Sequence, residues 1–168
     1  MKKVSMFGLT FLSVIAFSTI MLFNACDDDP CKDVICQNNG TCVSGTCNCA
    51  DGYEGTNCET KTQDRYTGSY SAIDVCTSGN YNYNATVSAS STDVTKVLMT
   101  NFGGFGSSVV VNATVSGSSF TIPSQVFGAV TISGSGTLSS DNLTINVSYT
   151  ANDTGGGSDV CQGSWDKQ

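Results

Sequence analysis

Residues 142–150 read NLTINVSYT, and this stretch gives the clearest indication of the fold. Apolar and polar side chains alternate along it without interruption. The apolar set is Leu143, Ile145, Val147 and Tyr149, and the polar set is Thr144, Asn146, Ser148 and Thr150. A period of two is typical of a β-strand that buries one face and wets the other. The stretch therefore predicts a strand of an antiparallel sheet.

Similar but weaker alternation recurs throughout residues 65–168. The runs are Arg65–Val75, Asn80–Ala89, Lys96–Phe102, Val109–Val115, Ser118–Pro123, Val130–Leu138 and Asp159–Trp165. Together with 142–150 they predict about eight strands. The links between them are rich in Gly, Ser, Asn and Asp, with Ser116-Gly117 and Asp141-Asn142 as candidates for tight turns, so neighbouring strands are expected to run antiparallel.

Eight short strands in sequence favour a closed up-and-down barrel, because closure leaves no exposed sheet edge. Cys76 and Cys161 fall in the first and last predicted strands, and a disulfide between them would join the seam of such a barrel. A sandwich of seven or eight strands is the alternative, since it can also bring terminal strands together. The opening Tyr66-x-Gly68-x-Tyr70 and the meander resemble lipocalin-like domains of bacterial lipoproteins, and that resemblance implies a barrel.

A second, cysteine-dense region covers residues 31–58, with the spacing Cys31-x4-Cys36-x5-Cys42-x4-Cys47-x-Cys49-x8-Cys58. Asn38-Asn39-Gly40-Thr41 precedes the third cysteine, and Gly52-Tyr53 and Gly55 precede the last. The region resembles an EGF-like domain over its whole length. The resemblance implies three disulfides, Cys31 with Cys42, Cys36 with Cys47 and Cys49 with Cys58, whereas spacing alone would allow 15 connectivities.

The EGF-like region has too few large apolar residues to fold around a core of its own, so its stability must come from disulfides. Each disulfide is expected to contribute about 2 to 4 kcal/mol by restricting the unfolded chain. The polar run 59–64 separates this region from the β domain, 65–168, and is interpreted as a short linker.

The N-terminal 25 residues have the order of a secretory signal peptide. Lys2 and Lys3 are followed by an apolar run from Phe7 to Phe23 without any acid. A membrane-spanning helix is the alternative, but the run is short for one and no basic cluster follows it. We therefore expect residues 1–25 to be removed.

Leu22-Phe23-Asn24-Ala25-Cys26 resembles the lipobox of bacterial lipoproteins. The resemblance implies cleavage before Cys26 and attachment of diacylglycerol to its sulfur, often with a third acyl chain such as palmitate on the freed amine. Two or more chains hold a protein stably on a membrane. Residues 26–30 would then form an acidic, lipid-anchored tether.

Asp27-Asp28-Asp29 resembles the acidic tract that directs some Gram-negative lipoproteins to the outer surface of the outer membrane. The expected location is therefore the outer membrane, exposed on the cell surface, with a periplasm-facing location as the alternative. Lipidation of Cys26 also leaves eight of the nine cysteines to pair, which implies an oxidising compartment.

Loss of residues 1–25 removes two of the seven basic side chains and none of the 14 acidic ones, which leaves a formal charge of −9. Nucleic acid is thus excluded as an expected partner. The chain has no histidine. With the cysteines lipidated or paired, no Ser/His/Asp triad, Cys/His dyad or Cys/His zinc site can be assembled, so we expect no enzyme, cofactor or bound metal.

The sequence disfavours both a glycosidase site and a calcium site. Asp74 and Asp159 each lie two residues before a cysteine of the predicted bridge, which places them four residues apart along paired strands, about 13 Å and too far for a glycosidase pair. They are expected to be solvated acids at strand ends. Pro30 precedes Cys31, and residues 43–46 contain no Asn or Asp, so the calcium ligands found in some EGF-like domains are missing.

Aromatic residues of the β domain are the remaining lead to a binding site: Tyr81, Tyr83, Phe102, Phe105, Phe120, Phe127 and Trp165. They could line a cavity for an apolar ligand or a sugar, or fill the barrel, and packing is favoured. The expected function is non-enzymatic binding or adhesion outside the cell, to a protein or a glycan, with a lipocalin-like carrier of a small apolar ligand as the alternative. The sequence does not indicate an oligomeric state.

Overall fold

The computed structural model describes residues 29–168. The predicted signal peptide, the predicted lipidation site at Cys26 and the first residues of the predicted acidic tether lie outside the described residues. Residues 34–168 form one compact unit. Within 29–168, no helix has the length and apolar character needed to cross a membrane.

The EGF-like region contains two short hairpins. Strands β1 (Thr41–Val43) and β2 (Thr46–Asn48) pair antiparallel, as do β3 (Tyr53–Glu54) and β4 (Thr60–Lys61). Disulfides join Cys36 to Cys47 and Cys49 to Cys58, and Cys31 and Cys42 are also disulfide-bonded. The observed pairs are those that the resemblance implies, and the region carries three disulfides.

The β domain is a closed antiparallel barrel of eight strands, as the alternation predicts. The strands are β5 (Gly68–Cys76), β6 (Gly79–Ala89), β7 (Lys96–Thr100), β8 (Val110–Ser116), β9 (Ser119–Phe127), β10 (Val130–Leu138), β11 (Thr144–Asp153) and β12 (Ser158–Lys167). Each strand pairs with its neighbours in sequence, and β12 closes the barrel on β5. The register there sets Cys161 opposite Cys76, and the two form a disulfide.

Strand β9 continues beyond the predicted end at Pro123. Proline has no N–H to donate to a ladder, which is why the sequence indicates a strand end there. In the structure the β9–β10 register shifts between Ile132 and Gly134, so that two β9 residues oppose one on β10. This bulge accommodates the proline, and the strand runs on to Phe127.

The barrel interior is filled over most of its length. Its largest fully buried side chains include Trp165, Tyr66, Tyr70, Phe102, Met99, Ile122, Ile132 and Ile145. Trp165 and Phe102 pack edge to face at a centroid distance of 5.3 Å. The predicted inward face of β11 is confirmed for Ile145, Val147 and Tyr149, but Leu143 is 54% exposed because it belongs to the turn that precedes β11.

A short 3₁₀ helix, Thr62–Tyr66, closes one end of the barrel. Tyr66 is fully buried there and donates its hydroxyl to the backbone oxygen of Gly117 at 2.9 Å, while Tyr70 donates to the oxygen of Tyr66 at 2.7 Å. Residues 59–64, interpreted from sequence as a linker, are thus structured: Thr60 and Lys61 form β4, and Thr62 and Gln63 are buried. We call this end the closed end.

The EGF-like region contacts the barrel at the closed end. The Arg65 guanidinium reaches the Glu54 carboxylate of β3 at 3.1 Å, and also donates to Asn142 Oδ1 and Ser118 Oγ in two barrel turns. A Cβ on Gly52 would lie 2.8 Å from Val94 Cγ2, in the loop between β6 and β7. The EGF-like region and the barrel therefore pack closely against each other, and no free linker separates them.

Gly136 has a structural role at a tight point of the barrel wall. A Cβ there would lie 2.3 Å from both the Phe120 ring and the backbone oxygen of Asn146. We expect Gly136→Ala to destabilise the barrel by about 1 to 3 kcal/mol, since the added methyl must displace backbone or a core aromatic ring. Denaturant unfolding measures this loss. Ser135→Ala, one position along on the exposed face, should stay within about 0.5 kcal/mol of the parent; equal losses in both variants would contradict the steric explanation.

Candidate functional site

The other end of the barrel, which we call the mouth, is open. A cavity of about 590 Å³ lies there, and we call it the mouth cavity. Its lining comes from the β5–β6 and β11–β12 hairpins, the 3₁₀ turn Phe102–Gly104 and the start of β10: Cys76, Ser78, Tyr81, Asn82, Tyr83, Gly103, Gly104, Phe105, Val130, Tyr149, Ala151, Asp153, Gly157, Ser158, Asp159 and Cys161. Its volume is within the usual range of small-molecule sites, about 300 to 1,000 Å³.

A buried carboxylate lies beneath the cavity floor. Asp74 is 0% exposed. Its Oδ2 accepts hydrogen bonds from the Tyr83 and Tyr149 hydroxyls, both at 2.6 Å. Its Oδ1 accepts from Trp165 Nε1 at 3.0 Å. A buried charge is tolerated when several donors satisfy it, and these three do so.

Gly163 makes room for this network. It lies opposite Asp74 in the β12–β5 ladder. A Cβ on Gly163 would lie 2.3 Å from Asp74 Oδ1 and 3.0 Å from Trp165 Nε1. Only a residue without a side chain leaves space there for the carboxylate and the indole to meet, so β12 has glycine at this position for packing.

The prediction that Asp74 is a solvated acid is wrong, because its side chain points into the barrel. Asp159 is half-buried at the start of β12. Its carboxylate accepts from the Thr77 hydroxyl at 2.6 Å, from the Ser78 amide at 3.0 Å and from the Ser78 hydroxyl. These hydrogen bonds lower the pKa of Asp159. The four-residue offset predicted between the two acids is present in the register, Cys76 with Cys161 and Asp74 with Gly163.

The aromatic residues divide between core and cavity. Phe102, Phe120 and Trp165 are buried and fill the barrel, as favoured from the sequence. Tyr81 and Phe105 are each 44% exposed at the mouth. Tyr149, not among the aromatic candidates, lines the cavity and packs against Phe102 at a centroid distance of 4.7 Å.

Cys76, Asp159 and Cys161 bring three potential metal-ligand atoms within 4.8 Å of one another. Both cysteines are in the disulfide, so neither can provide a thiolate. This cluster therefore offers a metal ion only one carboxylate, which already accepts hydrogen bonds from Thr77 and Ser78.

The tyrosines predict a loss of stability at alkaline pH. Burial raises the pKa of Tyr66 and of Tyr70 from 10.0 to about 12. Burial, followed by the hydrogen bond to Asp74, raises the pKa of Tyr83 and of Tyr149 further. Above pH 10 the unfolded chain loses these protons before the folded one, so the free energy of unfolding falls as pH rises, by up to about 1.4 kcal/mol per pH unit for each tyrosine.

Urea unfolding between pH 7 and 12, combined with near-ultraviolet absorbance of tyrosinate, tests this expectation. The contribution of these tyrosines to stability should be constant between pH 7 and 9 and should decline above pH 10, with tyrosinate absorbance appearing together with unfolding. Ionisation of all tyrosines near pH 10 in a protein that stays folded would contradict the burial argument.

Residues 31–61 match the family model of the Teneurin-like EGF domain, which supports an EGF-like module in the N-terminal part of the chain. A crystal structure of a protein of unknown function from Bacteroides ovatus is similar in fold at a TM-score of 0.41 and 15% identity. The similarity covers 61% of this chain and 42% of that one, so this chain spans about two fifths of the length of the neighbour.

Proposed function

We propose that this protein is an exported, lipid-anchored, non-enzymatic binding protein that presents the barrel mouth to the extracellular space. The observation that carries the proposal is the open mouth cavity at the barrel end opposite the EGF-like region. Aromatic faces and polar groups converge there, as they do in ligand sites. The partner is an extracellular protein, a glycan or a smaller molecule.

Export and anchoring are supported by the leader-like residues 1–25, the lipobox-like sequence before Cys26 and the disulfides, which persist in oxidising compartments. Four residues separate Cys26 from Cys31. Within residues 34–168, the EGF-like region contacts the closed end of the barrel, which is the end opposite the mouth. The proposed location is the cell surface of the outer membrane, with a periplasm-facing location as the alternative.

The second candidate function is a carrier of a small apolar ligand inside a lipocalin-like barrel. The mouth cavity favours this function because its volume of about 590 Å³ would hold a small molecule. The packing of Trp165, Phe102 and Tyr70 counts against it, because these residues occupy the space in which such a carrier encloses its ligand. Binding at an open mouth is therefore preferred over enclosure.

Protease shaving of intact cells tests the location. Peptides from residues 65–168 should be released from whole cells expressing the full chain and identified by mass spectrometry. Cys26→Ala is the matched control, and it should abolish incorporation of labelled fatty acid into the protein. Release of these peptides only after lysis would overturn the surface location, and fatty-acid labelling that persists in the Cys26→Ala protein would overturn the lipid anchor at this residue.

Binding at the mouth is tested with the full chain on arrays of glycans and extracellular proteins. We expect a bound partner whose signal drops on Tyr81→Ala and on Phe105→Ala. Val126→Ala removes a more exposed apolar side chain from the outside of the barrel and should leave binding intact. A partner that responds only to substitutions in residues 34–58 would move the binding role to the EGF-like region.

A further inference from the structure

The charged groups at the mouth are all of one sign. Asp153 and Asp159 line the mouth cavity, and Asp74 lies just beneath its floor. No lysine or arginine is among the lining residues that residues 29–168 contribute. A cavity with acids and no base attracts cations and repels carboxylates and phosphates.

The hydroxyl groups of the floor are also oriented in one direction. Tyr83 and Tyr149 each give their single proton to Asp74 Oδ2. The Tyr83 oxygen already accepts the amide of Gly103 at 3.1 Å, and Tyr149 offers only lone pairs to a ligand. The raised pKa of both phenols keeps these protons in place. The floor therefore accepts hydrogen bonds from a ligand and does not donate them.

Two aromatic side chains form part of the wall of the mouth cavity. Tyr81 and Phe105 are both half-exposed at the mouth, from β6 and from the turn after β7. The positive φ of Gly103 and Gly104, 62° and 72°, lets this turn fold tightly over Tyr83. An organic cation near an aromatic face is attracted by the ring quadrupole, most strongly where water is partly excluded.

We propose that the mouth cavity binds a small organic cation of the alkylammonium class, as a protonated amine or a quaternary ammonium group. The aromatic faces, the acidic rim and the acceptor-only floor each suit this class. The two floor phenols offer a neutral saccharide no donor, because their protons are committed to Asp74. This inference rests on the proposed binding role of the mouth and gives its ligand class.

Calorimetric titration of the full chain tests the ligand class with defined probes. The cations are choline, tetraethylammonium and benzyltrimethylammonium, and the neutral analogue of choline is 3,3-dimethylbutan-1-ol. We expect at least one cation to bind with a dissociation constant below about 10 mM, and the neutral analogue to bind at least about ten-fold more weakly than choline. Added salt should weaken cation binding, because Asp153 is exposed and Asp159 is only half-buried.

Substitutions locate the site. Asp153→Asn should weaken cation binding about five-fold, whereas Asp141→Asn, an exposed acid in the β10–β11 turn at the closed end, should have no effect. Phe105→Ala should weaken binding about two- to five-fold, and Val126→Ala should not. Thermal unfolding of each variant, measured in parallel, separates loss of binding from loss of fold.

The outcomes distinguish this inference from the proposed function. Binding of maltose or another neutral saccharide at the mouth, lost on Phe105→Ala, with no binding of the three cations, would overturn the ligand class and leave the binding role intact. Equal affinity for choline and its neutral analogue would also overturn it. Absence of binding by every probe and by every array partner would overturn both.

Discussion

Replacing Cys76 and Cys161 with serine together should lower the stability of the barrel by roughly 4 to 5 kcal/mol, because the bond closes a loop of 85 residues. The disulfide joins the first and last strands at the mouth, where β5 ends and β12 begins. In the unfolded chain the bond holds these two points together and removes conformational entropy. Without it, folding must overcome that entropy with the noncovalent ladder alone.

Thermal unfolding measures the effect. The double variant should melt about 20 °C or more below the parent, given the usual relation between free energy and melting temperature for a domain of about 100 residues. The matched control is Cys49→Ser with Cys58→Ser, which removes a bond of sequence separation 9 in the EGF-like region. That control should leave the barrel transition nearly unchanged. A shift of under about 5 °C in the Cys76/Cys161 variant would show that the ladder closes the barrel without help.

The strand pattern favours a closed barrel over a sandwich. The alternation over residues 142–150 and the Gly-, Ser-, Asn- and Asp-rich links indicate the strands. The location of Cys76 and Cys161 indicates that the first and last strands meet, which a sandwich would also allow. The structure has the same eight strands, with ends shifted by the bulge at Pro123 and by the turn at Leu143.

The hydrophobic pattern of β5 does not indicate that Asp74 is buried, because both faces of the strand carry apolar residues. On β5 the residues facing inward are Tyr70, Ala72, Asp74 and Cys76, while Ile73 and Val75 face outward and are exposed. Apolar residues on both faces hide the inward direction of the strand. The period of two along β5 is the signal for this burial, because it places Asp74 on the same face as Tyr70 and Ala72.

Hydrophobic periodicity does not predict the mouth cavity or the 3₁₀ helix Thr62–Tyr66 at the closed end. The cavity is assembled from two hairpins, one turn and a strand start that lie far apart in sequence. Residues 62–66, TQDRY, are mostly polar and have no pattern that indicates burial. Their place inside the closed end depends on tertiary contacts such as the hydrogen bond of Tyr66 to Gly117, which no local pattern encodes.

Asp74→Ala should destabilise the barrel by roughly 3 to 5 kcal/mol, because it leaves the Trp165 indole and the Tyr149 and Tyr83 hydroxyls without their acceptor. Trp165 is fully buried and Tyr149 nearly so, and water cannot easily replace the carboxylate at the indole. Urea unfolding measures the loss, and near-ultraviolet circular dichroism reports whether Trp165 keeps its packing.

Asp74→Asn is the matched comparison. The amide oxygen can accept from Trp165, and the amide N–H groups can donate to the two phenol oxygens, whose protons then turn towards the mouth cavity. This variant should therefore lose about half as much stability as Asp74→Ala. If both substitutions cost the same, the negative charge itself, and not its hydrogen-bonding capacity, is what the network needs.

A double-substitution cycle assigns the cost to the unsatisfied donors. In the parent, Tyr149→Phe removes a satisfied hydrogen bond and should destabilise the barrel by about 1 kcal/mol. In the Asp74→Ala background the same change removes a hydroxyl that has lost its acceptor, so it should cost little or recover stability. Additive losses would instead show that Asp74 and Tyr149 act independently, which contact at 2.6 Å does not permit if the hydrogen bond contributes to folding.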